Sequence, residues 1–285
     1  MNSTFRIIPR LDIKGNELVK GINLDGLRVL GKPEYFAKKY YQDGADEIFF
    51  QDVVASLYDT NSLHSLISRI AKNIFIPLTV GGGIRSIDDI NKILKSGADK
   101  ISINTAAVKN PSFIKEVTER FGSSTITISI EAIKSNNGKY LVYTDSGREF
   151  TGLELVEWLE TIQSYGAGEI VLTFVDTEGT GKGLDLNLIK KINDKIFIPF
   201  IVHGGIGSEK DILEICKFKS VNGVCISSIL HYHIVKKYKK IPKTKYGNKE
   251  YLKTSEKKTF FKTLSIYELK KFLKTNGINI RYEKN

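Results

Sequence analysis

Ile74–Phe75–Ile76–Pro77, followed by Val80–Gly81–Gly82–Gly83–Ile84, returns 122 residues later as Ile196–Phe197–Ile198–Pro199, followed by Val202–His203–Gly204–Gly205–Ile206. Each copy reads as an apolar strand running into a glycine-rich turn. Gly44–Ala45–Asp46–Glu47–Ile48 repeats as Gly166–Ala167–Gly168–Glu169–Ile170 at the same offset. That offset exceeds a solenoid period, so the repetition marks a duplicated half. Outward from these copies, short apolar runs lie at Phe5–Ile13, Glu47–Val53, Ile76–Val80, Lys100–Ile103, Thr125–Ile130, Glu169–Phe174, Pro199–Val202 and Gly223–Ser227. Amphipathic helical patterns separate them, among them Pro33–Asp43, Ser62–Lys72, Ser86–Ser96, Pro111–Phe121, Gly152–Tyr165 and Asp185–Asn193. Near-continuous apolar strands alternating with helices indicate a parallel sheet. Eight such units in 285 residues predict an α/β fold, a (β/α)8 TIM barrel built from two similar half-barrels.

Composition narrows the class. With 41% hydrophobic and 26% charged residues the chain can bury a sizeable core and is not a disordered polymer. No apolar run is long enough to span a bilayer. Met1–Arg6 is polar and leads straight into an apolar strand, so no signal peptide is expected and a cytoplasmic protein is the default. Two cysteines, Cys216 and Cys225, sit in apolar stretches, which argues against a disulfide framework. With four histidines a structural zinc site is not expected either. The net charge of +11 is uneven: residues 236–285 hold fifteen lysines, one arginine and four acids. A basic tail can contact nucleic acid or membrane phosphates, or it can be a solvated surface segment. No nucleic-acid motif accompanies it. Neither a membrane nor a nucleic-acid partner is expected.

Active sites of such barrels lie at the C-terminal ends of the strands. Three features cluster there. The turns Gly81–Gly83 and Gly204–Gly207 allow close approach of backbone N–H groups to an anion. Each has hydroxyl-bearing partners at the end of the next strand, Asn104–Thr105 in one half and Ser227–Ser228 in the other. Two equivalent phosphate sites suggest a substrate with a phosphate at each end. Asp12 and Glu131 end strands one and five and could divide general acid and general base roles. Asp176–Thr177–Glu178–Gly179–Thr180 follows strand six, either to position substrate or as an ordinary acidic loop.

These residues resemble the cyclase subunit family of imidazole glycerol phosphate synthase, of histidine biosynthesis. The motifs are Arg6–Ile7–Ile8–Pro9 with Leu11–Asp12, Leu18–Val19–Lys20–Gly21, Val80–Gly81–Gly82–Gly83–Ile84 and Ala98–Asp99–Lys100. Further along come Ser102–Ile103–Asn104–Thr105–Ala106–Ala107, Gly166–Ala167–Gly168–Glu169–Ile170, Asp176 with Gly179–Thr180, and the tail from Leu269–Lys270 to Arg281. The match covers most of residues 5–235 and resumes at Ser265–Arg281. It implies a barrel over 1–235, a basic insertion over 236–264, and a C-terminal helix and tail over 265–285 completing the domain.

The resemblance also implies chemistry. Ammonia from a glutaminase subunit, the partner in a heterodimer, passes through the barrel. It closes an imidazole ring as a bis-phosphorylated ribulosyl carboxamide nucleotide is cleaved. The products are imidazole glycerol phosphate and aminoimidazole carboxamide ribotide. By position, Asp12 and Glu131 match the catalytic pair and Lys20 a loop lysine near the substrate. Gly82, Gly83, Asn104 and Thr105 match one phosphate site; Gly179, Gly205 and Ser228, with Thr180, Gly204 and Asp176 beside them, form the other. Arg6, Glu47, Lys100 and Glu169 match a charged ring at the bottom that gates ammonia entry, which reads equally as an ion-pair plug. Asp99 matches a glutaminase contact. No metal and no organic cofactor is implied.

The sequence departs from the family at the catalytic end. Glu131 replaces Asp, Arg10 replaces a small Cys, Gln51 an apolar residue, Phe174 a small residue and Glu178 an Asp, while His203 stands where a small residue is usual. Strand alternation points Arg10 the same way as Asp12, so Arg10 is expected to favour the ionised forms of Asp12 and Glu131 and to lie near the ammonia path. These departures support an alternative: a paralogue that channels ammonia to a sugar-modifying amidotransferase in surface-polysaccharide biosynthesis. A third reading makes the barrel a binding module whose basic segment, Lys236–Lys262, recruits RNA or an acidic surface.

Overall fold

Strand β1 (Arg6–Lys14) sets the pattern of the molecule: Ile7 to Ile13 are all buried, which only a strand covered on both faces requires. A computed structural model describes residues 4–55, 63–238 and 261–283. The strands that follow are β2 (Glu17–Ile22), β3 (Asp25–Gly31), β4 (Ile48–Asp52), β5 (Leu78–Gly81), β6 (Lys100–Ile103), β7 (Ile126–Lys134), β8 (Tyr140–Thr144), β9 (Glu149–Glu154), β10 (Glu169–Phe174), β11 (Phe200–His203) and β12 (Val221–Ile226). The helices are α1 (Pro33–Gln42), α2 (His64–Ala71), α3 (Ile87–Lys95), α4 (Thr105–Lys109), α5 (Ser112–Phe121), α6 (Leu155–Ser164), α7 (Leu186–Ile192), α8 (Glu209–Ile215), α9 (Ser228–Lys237) and α10 (Ile266–Thr275). Strands β1, β4, β5, β6, β7, β10, β11 and β12 pair in parallel, and β12 returns to β1, with Arg6 opposite Gly223. The expected eight-stranded α/β barrel is the observed one.

Alternation along the strands divides the apolar residues into two cores. Ile7, Leu11 and Ile13 face outward into the large cluster shared with the helices. Ile8 faces inward, where it meets Phe49, Val171, Ile201 and Cys225 in a small separate cluster on the barrel axis. The duplicated halves reappear in the helix caps. Ser86 and Asp89 close a capping box on α3, and Ser208 and Asp211 close the same box on α8. Each satisfies backbone N–H groups that a helix start leaves unpaired.

Four strands were not legible in the sequence. Hairpin β2–β3 follows β1, and hairpin β8–β9 follows β7, at matching places in the two halves. Strands β3 and β9 are largely exposed or half-buried, so they carry no apolar run to read. The helical pattern over Gly152–Tyr165 accordingly begins too early: residues 149–154 belong to β9, where Gly152 takes a φ of +79°, and α6 starts at Leu155. Most of the basic insertion, at 239–260, lies outside the described residues. Among the described residues, no helix is long and apolar enough to cross a membrane.

Helix α10 joins the barrel through Ile266, Leu269 and Leu273, all buried. Lys270 threads beneath them: its Nζ donates to Gly44 O at 2.7 Å and to Asp46 Oδ1 at 2.6 Å. Asp46 also accepts from Arg281 Nε at 3.0 Å and, through Oδ2, from the Ile7 backbone at 2.8 Å, so it ties the tail to β1. Removing one member of a buried pair strands the other. Lys270→Ala should therefore lower the unfolding free energy by about 3 kcal/mol, and Lys270→Met, which keeps the apolar stem, by less. Urea unfolding measures both, and an unchanged midpoint in Lys270→Ala would remove this tie from the account of the fold.

Candidate active site

Inward-facing residues stack in layers along the barrel axis. At the N-terminal end, Arg6 meets Glu47 at 3.1 Å and Glu169 at 2.5 Å. Lys100 meets the same two carboxylates at 2.9 and 3.1 Å. Two cations and two anions thus alternate around the axis, with Thr79 and Thr127 hydroxyls completing the bonds to Glu47 and Glu169. The structure brings together all four residues expected in the charged ring. Asp99 lies beside it, exposed, with Oδ2 accepting the Leu78 N–H at 2.9 Å. Above the ring lies the apolar layer of Ile8, Phe49, Val171, Ile201 and Cys225.

The next layer is polar. Arg10 Nε donates to Asp12 Oδ1 at 2.9 Å, and its Nη1 donates to Thr173 Oγ1 at 3.1 Å. Nη1 also stands 3.3 Å from His203 Nδ1. A guanidinium can only donate, so Nδ1 is the acceptor and a neutral His203 carries its proton on Nε2. Burial, then the positive charges of Arg10 and Lys20, hold the His203 imidazolium well below its ordinary range. Lys20, on β2, is buried and paired with Glu178. Its ammonium faces that carboxylate. Asn23, at the tip of the β2–β3 hairpin, donates to Val175 O and Asp176 O at 2.7 and 2.8 Å and holds the hairpin over this end.

A cavity of about 550 Å³ opens at the C-terminal ends of β4 to β7. Gly82, Gly83, Asn104, Thr105 and Glu131 all line it. Gly82 has a φ of +106°, and a side chain there would meet Asp52 O at 2.4 Å, so the turn demands glycine. The Glu131 carboxyl accepts the Gly147 N–H at 2.8 Å, from the turn of the β8–β9 hairpin. Burial pushes its pKa up to about 7, against the smaller downward pull of Gly147 N–H and Arg10. The expectation that Arg10 favours an ionised Glu131 gives the sign of that one contribution, and burial outweighs it.

The second glycine turn is filled rather than open. Gly204, Gly205, Gly179 and Ser228 surround a recess of only about 20 Å³. A Cβ on Gly205 would sit 2.0 Å from Gly183 O, and one on Gly179 would sit 2.6 Å from Gly21 O. Asp176 is exposed and accepts the Lys134 N–H at 2.7 Å, and Thr180 Oγ1 donates to Thr177 O at 2.6 Å. Both therefore brace their loop. Asp12 is buried beside Arg10, toward the mouth, and is not among the residues lining the larger cavity.

Comparison with known proteins follows the same outline. A family profile described as histidine biosynthesis protein matches residues 6–236. A Legionella pneumophila protein named imidazole glycerol phosphate synthase subunit HisF is 52% identical over 205 residues, 72% of this chain and 97% of its own length. Relatives of the same name from Petrotoga mobilis and Alkaliphilus metalliredigens are 44% and 43% identical over 232 residues, 81% of this chain and 92% of theirs. The chain belongs to the HisF family.

This HisF-family chain carries site features that sequence reasoning passed over. Ser102 and Ser129 hydroxyls meet at 2.6 Å beneath Glu131 and line the cavity. The signal that points to them is the alternation of Thr127, Ser129 and Glu131 along β7, which puts all three on one face of the strand. Arg85, Lys109 and Arg148 bring positive charge to the rim; they come from the loop after β5, the end of α4 and the β8–β9 turn, and no spacing in the sequence joins them. Among the described residues no group of three His, Cys, Asp or Glu side chains could hold a metal ion.

The raised Glu131 pKa carries a stability consequence. Between its ordinary value of 4.5 and about 7 the folded state binds the proton that the unfolded state releases. Folding stability then falls as pH rises through that window, by about 3 kcal/mol from this group at full effect. Glu131→Gln should flatten this slope. Unfolding free energies of both forms at pH 4.5 to 8 measure the difference, and parallel curves would place the Glu131 carboxyl in water.

Proposed function

We propose that this chain is the ammonia-dependent cyclase subunit of imidazole glycerol phosphate synthase. It would act with a glutaminase subunit as a heterodimer in the cytoplasm. The observation that carries the reading is Glu131, a carboxyl with a pKa of about 7, facing a cavity that also presents the Gly82–Gly83 turn, Asn104 and Thr105. A group titrating near neutral pH can both take and return a proton. Ring closure with cleavage of a bis-phosphorylated ribulosyl carboxamide nucleotide requires such transfers, with Asp12 as the second carboxylate.

The remaining residues fall into roles around that pair. Gly82, Gly83, Asn104 and Thr105 take one substrate phosphate, with Arg85, Lys109 and Arg148 drawing the anion toward the mouth. Gly179, Thr180, Gly204, Gly205 and Ser228 take the other. Their recess is smaller than a phosphate, so binding there involves movement of the β2–β3 hairpin that Lys20, Asn23 and Glu178 hold down. Asp176 braces that loop. The ring of Arg6, Glu47, Lys100 and Glu169 is the ammonia gate, with Asp99 at the glutaminase contact. Its alternating charges support a gate that opens by exchange of ion pairs rather than by exposure of an unpaired charge.

Purified protein given the bis-phosphorylated nucleotide and excess ammonium at alkaline pH should turn over without a glutaminase. Asp12→Asn and Glu131→Gln should each lower kcat by about 10²- to 10⁴-fold, the usual contribution of a general acid or base. Full activity in both variants would overturn the assignment of the pair.

A further inference from the structure

Arg10 is a buried cation at the barrel mouth to which the roles above give no task. Its guanidinium is held from several sides. Nε meets Asp12, Nη1 meets Thr173 and His203, and Cζ stands 5.6 Å from the centre of the Phe49 ring. Its backbone oxygen accepts the Ser227 hydroxyl at 3.0 Å. Phe49, Thr173, His203 and Ser227 belong to, or follow directly from, β4, β10, β11 and β12. The guanidinium is therefore framed by elements other than the strand that carries Asp12. Thr173 is in turn the register partner of Glu131.

We infer that Arg10 is a positioning residue: from a frame of Phe49, Thr173 and His203 it holds the Asp12 carboxylate in one orientation beside the strand pair that carries Glu131. The inference rests on the cyclase reading of the site and deepens it. A rigid planar fork can bond Asp12 through one edge and Thr173 through another. A lysine placed there keeps the positive charge but offers no second edge in a fixed plane. Charge and geometry are thus separable by substitution.

The titratable groups around Arg10 are Asp12 on its own strand, Glu131 from β7, Glu178 from the loop after β10, His203 from β11, Cys225 from β12 and His231 from α9, which burial keeps uncharged, with Lys20 of β2 behind Glu178. Burial, reinforced by Arg10, keeps His203 uncharged near neutral pH, and burial keeps the Cys225 thiol protonated there. Arg10 pulls the Glu131 pKa downward, so removal of its charge moves the Glu131 titration above about 7.

The test compares Arg10→Lys and Arg10→Met with the wild type, using the nucleotide substrate and saturating ammonium from pH 6 to 9.5. Arg10→Lys should keep the wild-type pH profile while kcat falls about a hundredfold, the scale of an ångström misplacement, and KM stays within about threefold. Arg10→Met should show the same loss together with a profile displaced to higher pH. Arg10→Met/Asp12→Asn removes both buried charges and serves as the folding control, with substrate affinity read by calorimetry. Restoration of kcat by lysine would overturn the inference in favour of charge alone. A rise of kcat in either variant would overturn it by showing that Arg10 sequesters Asp12. Absence of wild-type turnover would overturn the cyclase reading first, and the inference with it.

Discussion

A closed parallel barrel turns alternate strand residues into a dry interior, and any charge placed there needs an opposite charge within reach. Much of what distinguishes this molecule follows from that requirement. Strand β1 carries Arg6, Arg10 and Asp12 on its inward face, and each is matched: Arg6 by Glu47 and Glu169, Arg10 by Asp12. The apolar layer of Ile8, Phe49, Val171, Ile201 and Cys225 separates these two charged levels. It keeps the ring at one end and the carboxylates at the other from exchanging partners, because a charge moved into that layer would lose its partner and its water together.

The two halves are alike in backbone and unlike in what fills them. Capping boxes on α3 and α8, glycine turns after β5 and β11, and hairpins after β1 and β7 all recur. The difference lies in side-chain volume near the mouth. Ser102 and Ser129 are small and line a cavity below Glu131. Arg10, Thr173 and His203 are larger, bond one another and fill the corresponding space on the other side. The pseudo-symmetric turns therefore differ in access, although their glycines take similar positive φ angles. Duplication explains where the two glycine turns lie, and the interior side chains explain why a cavity opens at only one of them.

The legible part of the fold was the part buried on both faces. Eight apolar runs became eight strands because helices outside and packed side chains inside leave no polar face to confuse the pattern. The hairpins escaped because exposed strands such as β3 and β9 are stabilised by backbone pairing, which leaves little trace in composition. The turns of the candidate site were legible where backbone geometry restricts the choice to glycine, as at Gly82 and Gly205. Apart from the charged ring, which the family resemblance implies, partnerships across the sequence were not. Lys20 meets Glu178 across 158 residues, and Lys270 meets Asp46 across 224. Only closure of the barrel and docking of α10 bring those pairs together.

The same dry interior determines which group can move a proton. Arg10 stays protonated because Asp12 and neighbouring negative charge offset its burial. His203 is held neutral by burial and by Arg10 and Lys20, and Cys225 is held protonated by burial. Glu131 differs in being half-buried and lining a cavity, desolvated yet with one backbone N–H on its carboxyl and Arg10 as a weaker influence. Those opposing contributions leave it balanced near neutral pH, so a small change in its surroundings shifts its protonation. A second N–H or a nearer cation would keep it ionised, and loss of either existing one would keep it protonated. The placement of Arg10 and of the β8–β9 turn thus offsets part of the desolvation of Glu131 and brings its titration toward neutral pH.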